Sequence, residues 1–207
     1  MEQEMTSENS IPAVPSQRRK LLISLIGRRI KSFIRYSWWP GAEAVTRHCY
    51  AESEVFSLTA GPAALTLDND LMIGFTSNPS QNSVLVWVEK NPMGACVAED
   101  PMEKDAELSP IAASDARFSN DFWKSLCGQQ IVSVSVIRQR AKSVLFERLP
   151  NEVAVAIAVE SGQRFLMSHG LHDDSDDFTV LTETQVLDYL KPSLREEVLS
   201  FREEALS

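Results

Sequence analysis

The chain has 207 residues, of which 43% are hydrophobic and 24% are charged, and its formal net charge is −9. That length allows one large domain or two small ones with a real core. The negative charge disfavours binding to nucleic acid or to anionic lipid, because their phosphates would repel it. The charge favours a basic partner instead, and acidity that serves only solubility is the open alternative.

The spacing of the cysteines and the length of the apolar runs indicate where in the cell we expect the protein. Neither a disulfide framework nor a zinc site is indicated, because Cys49, Cys96 and Cys127 are far apart and form no CxxC or Cys/His cluster. Apolar runs fall short of the roughly 20 residues that a membrane-spanning helix needs. The run at residues 21–26 is followed by arginines rather than by a small-residue cleavage site. We therefore expect a cytoplasmic protein with no cofactor and no membrane partner.

The first half of the chain predicts a tail, a short helix and several strands. Residues 1–15 hold few bulky apolar side chains, so we expect a disordered tail. From Ser16, the spacing of the apolar residues predicts a helix that Gly27 ends in the left-handed conformation. Strand-like runs follow at residues 30–36, 55–59, 63–67, 71–75 and 84–88.

The second half has the same order of elements. Residues 91–114 are rich in Pro, Ala, Glu and Asp, which predicts an irregular acidic linker. A helix capped by Ser119 or Asn120 and ended by Gly128 comes next. Strand-like runs lie at residues 131–137, 144–147, 153–159, 164–168 and 178–181. Two capping boxes, Thr182 with Gln185 and Ser193 with Glu196, predict two short C-terminal helices.

A weak internal similarity links the two halves. Residues 25–33 align with 126–134, Glu54-Val55 with Glu152-Val153, residues 71–75 with 166–170, and Ser80 with Ser175. The loops between strands are too short for parallel crossovers, so antiparallel pairing is predicted. We therefore predict an α+β fold of two similar antiparallel strand-rich units, created by internal duplication. Each unit is preceded by a short helix, and helices follow the second; the units span residues 16–90 and 115–207.

The densest acidic feature is a loop that contains Asp173, Asp174, Asp176 and Asp177. Four carboxylates suit a calcium ion, a Lys- or Arg-rich protein, or solvent alone. The loop lacks the spacing, glycine and distal glutamate of an EF-hand, so no metal is predicted. We choose the four aspartates as the contacts for a protein partner. The second choice lies in the linker, at Glu99, Asp100, Glu103 and Asp105.

A basic and aromatic stretch at residues 28–39 resembles a platform for single-stranded nucleic acid. Its residues alternate between two faces of a strand, and the chain is acidic, so we predict an amphipathic sheet face instead. The stretch could also pair with the acidic linker. The motifs GxSxG, HExxH and GxGxxG and a phosphate-binding glycine loop are missing. We therefore predict no catalytic residue and no enzyme.

Several segments resemble small bacterial immunity-type proteins. The resemblance rests on residues 151–154, 161–171 and 176–180, and on residues 55–59 and 82–87 in the first half. It implies a bacterial cytosolic protein that binds a cognate toxin, for example a basic nuclease, and neutralises it by occlusion. It identifies no functional residue, because the shared features are strand and turn patterns.

Two other hypotheses stay open at this point. One is a small-ligand-binding or enzymatic domain with a pocket between the two units, lined by Trp38, Trp39, Tyr50 and Trp87. The other is a structural adaptor, which the sequence does not separate from an inhibitor. The oligomeric state is also left open.

Overall fold

The computed structural model describes residues 9–173 and 175–200. Ten strands form two antiparallel sheets. The first sheet contains β1 (Ile30–Ser37), β2 (Ala63–Leu67), β3 (Met72–Asn78), β4 (Ser83–Lys90) and β5 (Ser109–Ala112). The second contains β6 (Ile131–Gln139), β7 (Ala154–Val159), β8 (Arg164–His169), β9 (Phe178–Thr182) and β10 (Leu194–Val198). The strand orders are β4-β3-β2-β1-β5 and β9-β8-β7-β6-β10, which confirms an α+β fold of two similar strand-rich units.

Short helices and turns connect the strands. The α-helices are α1 (Arg19–Ser24), α2 (Gly41–His48), α3 (Val55–Leu58) and α4 (Asp121–Ser125). Turns of 3-10 helix lie at Pro15–Arg18, Glu52–Glu54, Pro79–Gln81, Met102–Lys104, Phe146–Arg148, Glu183–Gln185 and Lys191–Ser193. Helices α1 and α4 precede β1 and β6 as predicted. The side chain of Asn120 caps α4 by accepting a hydrogen bond from Phe122 N at 3.0 Å.

Hydrogen bonds beyond the strands show how closely the units correspond. Both first strands carry a bulge at the same place, between Ile30 and Ser32 in β1 and between Ile131 and Ser133 in β6. After the fifth strand of each sheet, Ala113 N donates to Phe33 O at 2.8 Å and Leu199 N donates to Val134 O at 2.9 Å. The fifth strands therefore belong to the repeated unit.

The predicted alignment of the third strands is wrong by three residues. Leu67 N donates to Leu71 O, and in the second unit Val159 N donates to Gln163 O. Leu71 therefore corresponds to Gln163 and not to Leu166. The match of Glu54-Val55 with Glu152-Val153 also fails, because Val55 starts helix α3 whereas Val153 directly precedes β7. Similar apolar letters recur in every strand, so they do not fix the register.

Two predicted irregular segments contain paired backbone. The tail prediction is wrong at Ala13, which exchanges backbone hydrogen bonds with Val86 at 3.2 and 2.8 Å; residues 1–8 lie outside the described residues. The linker prediction for residues 91–114 is wrong at its end, because β5 pairs with β1 there. The first unit therefore extends beyond residue 90.

Three other predicted elements adopt a different conformation. Residues 55–59 were expected as a strand, but helix α3 forms there and packs against β9. Residues 144–147 are not a strand either, because the chain forms the turn Phe146–Arg148. The predicted capping box of Thr182 and Gln185 is confirmed, but it starts a 3-10 turn of three residues, and the strand β10 takes the place of the second predicted helix. Strand β10 forms because the edge of β6 offers it backbone partners from Leu194 to Val198.

The two sheets pack face to face around one shared core. An aromatic cluster joins them, in which the Phe33 ring of β1 lies 5.5 Å from the Phe165 ring of β8 and 5.0 Å from the Phe56 ring of α3. Trp123 of α4 contacts the same rings. Rings in such arrangements contribute about 0.5–1.5 kcal/mol per pair beyond their burial. The outer face of the first sheet is covered by residues 97–108.

Candidate functional site

Four strand connections meet at one end of the sandwich. They join β1 to β2, β3 to β4, β6 to β7 and β8 to β9, and we call this the loop end. Contacts between the sheets place them together: Ser77 Oγ donates to Asp176 O at 3.0 Å, and Asn82 Nδ2 donates to Asn151 Oδ1 at 2.7 Å. Loops held by a rigid sheet scaffold are a common location for binding residues. The loop end is therefore the candidate site.

The acidic loop joins β8 to β9 within the loop end. Asp173, Asp176 and Asp177 are exposed, and Asp174 lies outside the described residues. Hydrogen bonds within the loop join its described residues, because Ser175 N donates to the Asp173 carboxylate at 3.1 Å and Asp177 N donates to Ser175 Oγ at 3.2 Å. Among the described residues, no ion pair joins these three carboxylates to a cation.

Arg35 fixes the C-terminal end of the acidic loop. It is fully buried, and its Nη2 donates to the carbonyl oxygens of Thr59 and Phe178, the latter at 3.1 Å. The guanidinium carbon also lies 5.0 Å from the centre of the Phe178 ring. Burial lowers the pKa of Arg35 to about 9, although the nearby Asp177 charge acts in the opposite direction. Arg35 is therefore charged at neutral pH, and it holds the residue that follows Asp177.

His169 lies at the other end of the acidic loop. Its side chain is buried, and burial lowers its pKa, while the charges of Asp176 and Asp177 act to raise it. The charge of Lys142 also acts on this ring and lowers its pKa. Both the acidic loop and the β6–β7 connection therefore lie close to His169.

The second group of predicted acidic residues lies on a different surface. Glu99, Asp100, Glu103 and Asp105 are exposed, and they belong to the segment that covers the outer face of the first sheet. Glu103 is paired with Lys90 at 2.6 Å. The segment is held by the buried Glu89, whose carboxylate accepts from Trp87 Nε1 at 2.7 Å and from Met102 N at 2.6 Å. The fold does not bring the two acidic groups together.

The aromatic residues predicted to line a pocket are dispersed. Trp87 packs on the outer face of the first sheet. Trp39 contacts the shared core, where the Arg47 guanidinium lies 4.0 Å from the centre of its ring. Tyr50 stacks on His48 with ring centres 5.2 Å apart, and Trp38 is exposed. These four residues do not share one lining.

The basic and aromatic stretch uses its cations within the fold. Lys31 pairs with Asp70 at 2.5 Å and Arg29 pairs with Glu160 at 2.6 Å, both across hairpins at the end opposite the loop end. Arg35 is buried. The prediction of an amphipathic sheet face is wrong for β1, because Phe33 is buried in the shared core on one face and Tyr36 is buried on the other. The acids that pair with Lys31 and Arg29 belong to hairpins rather than to the linker.

Residues that the sequence interpretation missed lie in the β6–β7 connection. Val144 and Leu145 are exposed at the loop end, at 71% and 82% of their surface. Asn151 holds this connection, because its side-chain amide donates to Phe146 O at 2.7 Å and to Leu149 O at 2.9 Å. The signal in the sequence is the short apolar run at residues 144–146, which lies between charged residues and which the strand prediction for residues 144–147 includes.

The described residues contain neither a hydroxyl or thiol hydrogen-bonded to a histidine nor a cluster of metal ligands. Across residues 9–173 and 175–200, no hydrogen bond joins a Ser, Thr or Cys side chain to a histidine. The described part of the chain also has no group of three or more His, Cys, Asp or Glu residues that could hold a metal ion. Its helices include none long and apolar enough to cross a membrane.

Comparison with known proteins adds no relative. The chain matches no family model, and it has no significant match among curated proteins or solved structures.

Proposed function

We propose that this protein is an immunity-type inhibitor, which binds a cognate basic toxin in the bacterial cytoplasm and occludes it with the loop end. The observation that carries this proposal is the exposure of Asp173, Asp176 and Asp177 on one loop, in which hydrogen bonds join the described residues. Carboxylates in such proximity repel one another, and burial against Lys or Arg side chains of a partner removes that repulsion. A nuclease with a basic substrate cleft has the required charge.

The way the loop is held supports a binding role. Arg35 fixes Phe178 after the loop, and Ser77 fixes Asp176 within it. Binding to a loop that is already ordered costs less conformational entropy than binding to a flexible one. Exposed charges mainly raise the rate of association, since they steer the partner before contact.

The test begins with a partner captured from the native cells. The tagged protein is used to retain a partner at low salt, and the retained protein is eluted at high salt and purified. The retained protein should arrest growth when it is expressed alone. Co-expression of the inhibitor proposed here should restore growth. A retained protein that is harmless when expressed alone would contradict inhibition.

Association kinetics with the purified partner then test the loop. A variant with Asn at the four loop aspartates should associate about tenfold more slowly at low salt, with a flatter salt dependence. The matched control is E99Q/D100N/E103Q/D105N, because both variants lose four negative charges and change the net charge from −9 to −5. Equal rates for the two variants would show that only net charge matters, and slower association of the control alone would move the contact to the outer face of the first sheet.

A further inference from the structure

An exposed apolar pair lies at the loop end, which also carries the acidic loop. Val144 and Leu145 are adjacent in the chain, and 71% and 82% of their surface is exposed. Covering one such side chain stabilises a complex by about 1.5–3 kcal/mol at full burial. Both residues lie in the β6–β7 connection, which the first unit replaces with a longer segment that contains α2 and α3.

The fold holds this apolar pair in a defined position. Asn151 is buried with a positive φ of 53°, and its amide donates to the carbonyls of Phe146 and Leu149. Its side-chain oxygen accepts from Asn82 Nδ2, and its carbonyl accepts from Gln139 N at 2.9 Å. Asn151 therefore ties the connection to the β3–β4 connection through its side chain and to β6 through its backbone. A rigid tip loses little entropy on binding.

Charges of both signs surround the apolar pair. Arg140, Lys142 and Arg148 are exposed in the same connection, where Glu147 is the one exposed acid among the described residues because Glu152 is buried against Arg138. The acidic loop directly follows His169 at the end of β8, and the β6–β7 connection reaches the same end of the sandwich. The loop end therefore presents an apolar pair together with basic and acidic groups.

This arrangement decides between classes of partner. Nucleic acid and anionic bilayers present one sign of charge, which would be repelled by the acidic loop and by the net charge of −9. A protein surface can present both signs around an apolar pocket, as the centre and rim of protein interfaces do. The charge pattern therefore fits a protein.

We propose that Val144 and Leu145 are the apolar anchor of the interface with the partner, and that they enter an apolar pocket on it. Carboxylates near that pocket face Arg140 and Arg148, and basic groups near it face the acidic loop. This inference rests on the proposed function. Buried apolar anchors control dissociation, whereas exposed charges control association.

The experiment compares V144S/L145S with the control I11S/M93S, using the purified protein that the wild-type chain retains. Ile11 and Met93 are exposed at 66% and 81% and lie outside the loop end. We expect V144S/L145S to dissociate at least about tenfold faster, with an association rate within about threefold of wild type. The control should dissociate at the wild-type rate. Thermal unfolding of both variants verifies that the fold is intact.

Each outcome separates the anchor from the acidic loop. An unchanged dissociation rate for V144S/L145S, with slower association of the loop-aspartate variant, would overturn the anchor and leave the proposed function standing. Faster dissociation of V144S/L145S, with no effect of the aspartates, would support the anchor and remove the acidic loop. Retention of no protein would overturn both. Binding of the wild type, but not of V144S/L145S, to phosphatidylcholine vesicles that contain phosphatidylserine would assign the tip to membranes and overturn the anchor.

Discussion

Gly27 and Gly128 occupy equivalent positions and make reciprocal hydrogen bonds across the two units. Gly27 N donates to Ile131 O at 2.8 Å, and Gly128 N donates to Ile30 O at 2.7 Å. Their φ angles are 87° and 88°. Each glycine ends the helix of its own unit and pairs with the first strand of the other. The two turns therefore join the duplicated units at the end opposite the loop end.

Replacing either glycine with alanine should destabilise the protein to a similar extent. No atom lies within 4 Å of a Cβ built at either position, so only the left-handed backbone is strained. We expect a loss of about 1–2 kcal/mol in the free energy of unfolding for each variant, measured by urea denaturation. Gly27→Asn and Gly128→Asn are the controls and should lose less, because asparagine tolerates this conformation better. A loss at one position only would contradict their equivalence.

Gly74 of β3 and Trp87 of β4 form a cross-strand pair. The equivalent pair in the second unit is Leu166 with Leu181. A Cβ on Gly74 would lie 2.3 Å from Trp87 Cε2. Gly74→Ala should therefore cost about 1–3 kcal/mol of stability through overpacking. The same substitution in a Trp87→Leu background should cost much less, because the smaller side chain leaves room. Equal costs in the two backgrounds of this double-mutant cycle would refute the steric explanation.

Asn151→Asp tests whether the Asn151 side chain holds the β6–β7 connection in place. The substitution keeps the Oδ1 acceptor and removes Nδ2, which donates to Phe146 O and Leu149 O. Because these part-buried carbonyls lose their donor and face an oxygen instead, we expect a loss of about 1–3 kcal/mol. Amide hydrogen exchange of residues 143–149 should become faster than in wild type. Asn78→Asp is the control, since its side chain accepts from Ser80 N and an aspartate retains that role. Unchanged exchange at residues 143–149 would contradict the role of Asn151.

His169 should make stability depend on pH. Burial lowers its pKa in the folded protein below the value in the unfolded chain, so the unfolded chain binds more protons in acid. The contribution of neutral His169 to the free energy of unfolding is complete above the ordinary pKa of histidine. It is lost as the pH falls through the lower pKa that His169 has in the folded protein. The difference in unfolding free energy between wild type and His169→Asn should therefore shift against wild type between about pH 7 and pH 5. A constant difference over that range would contradict burial of the neutral ring.

Local patterns in the sequence predicted the elements whose causes are local. Gly27 and Gly128 have the predicted left-handed φ, and Asn120 caps its helix. The alternation of apolar residues predicted most strands of both sheets, since successive side chains of a strand point to opposite faces of the sheet. The sequence also indicated the duplication and the acidic loop, because each of them is a property of the order of residues.

The tertiary structure decided what depends on contacts distant in the chain. Residues 194–198 have a helical capping signal, yet they form β10 because the edge of β6 was open to them. Residues 55–58 have a strand-like composition, yet they form a helix in which Ser57 Oγ donates to Val180 O. The fold also paired Lys31 and Arg29 internally while it left Val144 and Leu145 exposed. A short segment adopts the secondary structure that its local sequence favours only when no distant segment offers it more hydrogen bonds or more burial. Those distant contacts exist only in the folded chain.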